Sequence, residues 1–176
     1  MNASTRKMVL SGMFLALGLV LPFLTGQLPG LGSALLPMHI PVILCGFICG
    51  RKYGAGVGFI VPILRSFLFS MPPMFPVAIA MAFELAVYGF TTGLLYEKLP
   101  KSKFSTVVAL VVAMMAGRIV WGIVSLILFG IMGNAFSMGM FIGGAFLNAI
   151  PGIVVQLILI PVILYAYERS GGVKNA

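Results

Sequence analysis

The chain has 176 residues, of which 61% are hydrophobic and 8% charged, and its mean hydropathy is +1.16. A water-facing domain of this length needs about a quarter of its residues charged to cover its surface, so a soluble fold is excluded, and with it any water-facing part large enough to bind nucleotide or do chemistry alone. The formal charge of +8 does not signal a nucleic-acid partner, because the lysines and arginines form short clusters between apolar stretches and not a continuous stripe.

The runs from Lys7 to Arg51 and from Arg118 to Glu168 contain no Asp, Glu, Lys or Arg between their ends. Each is long enough to cross a hydrocarbon layer of about 30 Å twice. The chain therefore reads as a single all-α integral-membrane domain, residues 1–176, built as a bundle of six transmembrane helices. The first span covers Met8 to Leu24; the residues before it are too few for a separate targeting segment, and no small-residue cleavage site follows it. Gly12 and Ala16, four apart with Ser11 beside them, form a small-residue face that suits either an internal seam or a docking surface for another membrane subunit.

A Gly/Pro-rich connection, Thr25 to Pro37, leads to the second span, Met38 to Gly50. Cys45 and Cys49 share a face there; with no second Cys or His pair to complete a metal tetrad, they read as buried thiols. After a turn at Arg51, Lys52, Tyr53 and Gly54, the third span runs from Ala55 to Phe69, with Pro62 predicting a kink. It breaks at Ser70 to Pro73. Spans two and three are short, since thirteen helical residues reach only about 20 Å, and they require flanking backbone lined by protein rather than lipid. The fourth span covers Pro76 to Tyr96, the fifth Phe104 to Ile131 and the sixth Phe141 to Tyr167.

With a cytoplasmic N-terminus, the inner segments hold Arg6, Lys7, Arg51, Lys52, Lys98, Lys101, Lys103, Arg169 and Lys174, nine of the eleven basic residues. The outer connections, 25–37, 70–75 and 132–140, hold none. This asymmetry places both termini in the cytoplasm.

Arg65, Glu84, Arg118 and the single histidine, His39, remain inside the spans. Charge at membrane depth is costly and normally turns toward a partner or a cavity. The helical rise puts Glu84 about 12 Å and Arg118 about 9 Å below the outer boundary, so an ion pair or a shared ligand is geometrically open to them. Arg65 and His39 also fall toward the outside, as does Asn148. Tyr88 lies one turn from Glu84, and Trp121 one turn from Arg118. Arg65, Glu84, Tyr88, Arg118, Trp121, Asn148 and His39 are thus the candidate lining of an outward-facing chamber in which guanidinium groups grip the carboxylate or phosphate of a small solute. Plainer roles exist: Glu84 and Arg118 as a structural pair, Arg65 snorkelling to the surface. Gln156, deeper in span six, reads as an interhelical hydrogen bond.

The chain lacks a G-x-x-x-x-G-K-[ST] loop, an H-E-x-x-H helix and a G-x-S-x-G elbow, and one intramembrane carboxylate is thin provision for a proton relay. Neither an enzyme nor a resident cofactor is expected. Solute capture with energy supplied by partner subunits is favoured over an autonomous carrier or channel; an intramembrane enzyme and a purely structural subunit are more distant readings.

Several segments carry a resemblance to a known family. They are the small-residue face at Gly12 and Ala16 followed by Leu21-Pro22, the run Leu36-Pro37-Met38-His39-Ile40-Pro41-Val42, and Gly46-Phe47-Ile48-Cys49-Gly50-Arg51-Lys52-Tyr53-Gly54 with Gly56 or Gly58 beyond it. Over its whole length the chain resembles the substrate-capture subunits, or S components, of energy-coupling factor transporters for vitamins. Gly12 stands where that family's A-x-x-x-A docking face has its first alanine, and small size is kept. The resemblance implies a prokaryotic cell-membrane protein that takes up a small vitamin beneath the loop between spans one and two. It also implies partners, a transmembrane scaffold subunit and two ATPase subunits, with the capture subunit toppling to release solute inside. Within the family the likeness is nearest to pantothenate-type members, with riboflavin-type members as the alternative because Trp121, Phe83 and Tyr88 offer ring contacts.

Overall fold

A computed structural model describes residues 2–26, 34–100, 102–145 and 147–170. Residues 27–33 of the outer connection, and Lys101 and Lys174 from the charge count, lie outside them. The described residues are predominantly helical and include no strand. In chain order the helices are α1 (Ala3–Gly26), α2 (His39–Cys49), α3 (Arg51–Phe69), α4 (Ile79–Lys98), α5 (Lys103–Ile131), α6 (Met138–Ala145) and α7 (Ile150–Arg169). A wider helical turn, Met74–Ala78, leads into α4, and a short turn, Leu147–Ala149, lies between α6 and α7.

Among the described residues, five stretches are long and apolar enough to cross a bilayer: Ala3–Thr25, Arg51–Phe69, Met74–Lys98, Lys103–Ile131 and Met138–Arg169. The chain is a multi-pass helical membrane protein. Helix α2, with eleven residues, is only about 16 Å long. Its environment explains how so short a helix is tolerated: it packs against α1, α3, α4 and α7, and nine of its residues are buried. A helix apolar all round belongs inside a bundle, where its ends meet protein instead of lipid.

Two boundaries differ from the sequence expectation. The turn after α2 is not the four residues Arg51 to Gly54 but Gly50 alone. Its φ of 95° is open to glycine without strain; its N–H bonds the Gly46 carbonyl at 3.1 Å, and its carbonyl accepts from Gly54 at 3.0 Å, so one residue closes α2 and opens α3. Arg51 and Lys52 therefore sit in the first turn of α3. That helix continues through Pro62. The expected sixth span is interrupted, with α7 beginning at Ile150 and Pro151 in its first turn. Proline lacks the N–H that a continuous helix would use there, and its ring crowds the preceding turn.

Glycines set the spacing of the bundle. Gly54 and Gly58 on α3 face Gly89 and Leu85 on α4: a β-carbon at Gly54 would lie 2.5 Å from the Gly89 carbonyl oxygen, and one at Gly93 would lie 2.4 Å from the Arg51 backbone nitrogen. Gly46 joins the same contact from α2, against the Gly89 carbonyl. Helices in lipid associate through packing rather than water exclusion, so small residues at i and i+4 let backbones close to this range. Helix α4 thereby sits at the centre, packed on α2, α3 and α5.

Helix α1 lies on α2 and α3 through Ser11, Phe14 and Gly18, which are buried; Cys45 Sγ approaches Ser11 Oγ at 3.7 Å. Both cysteines are buried free thiols. Gly12 and Ala16 are exposed on the opposite side. At the end of the bundle formed by the start of α1 and the ends of α4 and α7, Arg6 donates to the Tyr167 hydroxyl at 3.2 Å, Tyr96 donates to Glu168, and Arg51 pairs with Glu97 at 3.6 Å.

Candidate functional site

Helix α4 presents Glu84 and Tyr88, one turn apart, between α2 and α5. On α5, Gly117 precedes Arg118. A β-carbon at Gly117 would come within 2.6 Å of the Tyr88 ring and 3.2 Å of the Glu84 carbonyl oxygen, so glycine at this position permits the approach that carries Arg118 to Glu84. Arg118 Nη1 stands 2.8 Å from Glu84 Oε1. His39 Nε2, from the first residue of α2, lies 3.6 Å from the same oxygen. The Tyr88 ring meets the His39 ring edge-on, with centroids 5.2 Å apart. Arg118 is 5% exposed and His39, Glu84 and Tyr88 are each 1% exposed. Three helices thus converge on one carboxylate.

Charge is balanced in this cluster, but hydrogen bonding is not. Nη1 reaches Oε1 at ion-pair distance yet off the line of a hydrogen bond, and Oε1 has no directed donor. Arg118 Nε and Nη2 and both His39 ring nitrogens are also buried without a partner. Buried polar atoms are ordinarily paired, and leaving one open costs about 1–3 kcal/mol. Nε and Nη2 together form the side-on fork of a guanidinium, two parallel donors matched to a carboxylate. The cluster thus offers a neutralised cation with a free fork, beside an acceptor oxygen and an imidazole able to donate at one nitrogen and accept at the other.

The other candidates lie elsewhere. Arg65, 8% exposed, does not join the carboxylate: Nη1 donates to the Leu19 carbonyl of α1 at 2.5 Å, with the guanidinium over Phe23 at 4.6 Å and Phe69 at 5.5 Å. Trp121 belongs to an aromatic group where α5 meets α6. Its ring stacks on Phe141 at 6.3 Å and meets Phe136 edge-on at 5.9 Å; Phe141 covers Gly122, and Trp121 covers Gly144. Beside them a cavity of about 260 Å³ is lined mainly by Ile119, Ile123, Leu126, Phe136 and Met138. Asn148 is exposed in the turn before α7.

Gln156 departs from its expected role: it is 1% exposed, and its Nε2 makes no hydrogen bond. Its sequence signal is a carboxamide two turns deeper than Asn148 in an otherwise apolar span. Among the described residues no group of His, Cys, Asp and Glu is arranged to hold a metal ion.

Comparisons with curated proteins and with solved structures returned no match. A family model described as "ECF transporter, substrate-specific component" matches residues 6–164. That stretch runs from the first basic cluster into the last helix and takes in every element of the cluster around Glu84, and on this ground the chain belongs to the family of substrate-specific components of ECF transporters.

Proposed function

We propose that the chain captures a small vitamin, with pantothenate favoured, in the outer half of the membrane and delivers it through an ATP-driven energy-coupling factor complex. As a member of its family it is a transport subunit, not an enzyme. The observation that carries the solute reading is the buried, unpartnered fork of Arg118 beside Glu84 and His39. A carboxylate would complete the fork, and solute hydroxyls would meet Glu84 Oε1 and His39. Tyr88 and Gly117 hold the geometry.

The remaining parts of the reading follow from placement. The collection of basic residues at one end of the spans supports reading that end, and both termini with it, as cytoplasmic, with α2 counted as a sixth, shortened crossing. Gly12 and Ala16 face away from the bundle and suit a flat contact with the transmembrane scaffold. Riboflavin is the second solute reading, favoured by the apolar cavity beside Trp121, Phe136 and Phe141. The test is equilibrium binding of the purified chain to a panel of free vitamins. Sub-micromolar binding of pantothenate supports the reading, tight binding of riboflavin alone moves the solute to the alternative, and no binding to any member removes capture.

A further inference from the structure

Resting on the capture reading, we propose that Gln156 reads the same solute as the cluster around Glu84, its carboxamide donating to an uncharged carbonyl of the bound molecule. The buried face of α7 runs Gly152, Gln156, Ile160, Leu164, one residue per turn. At its top Gly152 is pressed against the backbone of residues 34–36: a β-carbon there would lie 2.6 Å from the Ala34 carbonyl oxygen. Gln156 is one turn, about 6 Å, deeper on that face. His39 hangs from the same segment, with its N–H bonded to the Leu36 carbonyl at 3.0 Å. Helix α7 packs against α2 and α5, the helices that carry His39 and Arg118. The buried atoms that make no hydrogen bond therefore come from α2, α4, α5 and α7, and those on α2 and α7 each lie within one turn of a contact with residues 34–36.

A single open amide is an isolated lapse, whereas four helices, each packed on two of the others and each contributing a buried atom without a hydrogen bond, describe a template. Its order is a charged fork for a carboxylate, a neutral donor for a carbonyl, and an acceptor oxygen with an imidazole for hydroxyl or N–H groups. The chemical class it fits is a carboxylic acid that also carries an amide or similar carbonyl and hydroxyls. A solute whose only acceptor is its carboxylate would leave Gln156 open and bind less well.

The test uses pantothenate and riboflavin as probes of the full chain in detergent, with Gln156→Met, which keeps volume and removes both polar atoms, and Gln156→Glu. Gln156→Met should weaken pantothenate binding by about tenfold, the worth of one hydrogen bond left unmade. Its unliganded melting temperature should be unchanged or higher, because the open amide is gone. Gln156→Glu should weaken pantothenate further, through a second carboxylate facing the first. Affinity of Gln156→Met within twofold of wild type overturns the assignment, and so does an affinity loss matched by a fall in the unliganded melting temperature, which would make Gln156 a packing residue. A wild type that binds riboflavin alone also overturns the template, since riboflavin has no carboxylate for the fork, and one that binds no member of the vitamin panel tells against the capture reading itself.

Discussion

Glu84 and Arg118 each hold the other's charge inside a membrane, and removing one exposes what the pair does. Glu84→Leu leaves a buried guanidinium without its counter-charge, a loss of about 3–5 kcal/mol, and should reduce the yield of monodisperse protein in size-exclusion chromatography. Replacing both, Glu84→Leu with Arg118→Leu, should restore the yield but abolish vitamin binding; a double variant that binds like wild type would make the pair scaffold alone. Depth arithmetic along two helices puts the two residues at matching heights and leaves an ion pair open to them, without deciding between a pair and a shared ligand. Arg65 was not legible in the same way, because depth fixes a residue's height and says nothing of the direction it faces. Its guanidinium turned to the Leu19 carbonyl and the rings of Phe23 and Phe69, so Arg65→Met should leave vitamin affinity within about threefold of wild type, by titration, since cation–π and carbonyl contacts there stabilise the α1–α3 seam.

At the scale of elements, the α3–α4 contact depends on having no side chain at particular glycines. Gly54→Leu would drive atoms into the Gly89 backbone, and overpacking of this kind costs about 1–3 kcal/mol or more; thermal unfolding in detergent should show a large drop. Gly56→Leu is the control two residues away, where a β-carbon meets nothing within 4 Å, and it should melt near wild type. Hydropathy made most of the helices legible, since long apolar runs bounded by basic clusters leave little choice. It could not show the break before α7, because the residues on both sides are equally apolar and only Pro151 marks it. Nor could it show that α2 is enclosed by protein on every side. The partner glycines Gly89 and Gly93 carry no signal of their own in the sequence, because a small-residue pair has meaning only once the facing helix is known.

For the whole molecule, the division of labour is between an inner cluster and an outer face. Gly12 and Ala16 on α1 look away from the bundle, so their joint replacement by Leu should leave vitamin affinity of the isolated subunit unchanged while reducing co-purification with the scaffold and ATPase subunits; lost affinity would place that face in the internal packing. The central claim is that the captured solute completes the open valences around Glu84 and Arg118. A structure of the vitamin-saturated chain tests it most directly. A solute carboxylate should lie about 3 Å from Arg118 Nε and Nη2, with His39 and Glu84 on its polar groups. A solute seated in the aromatic cavity between α5 and α6, with the Arg118 fork still empty, would contradict it.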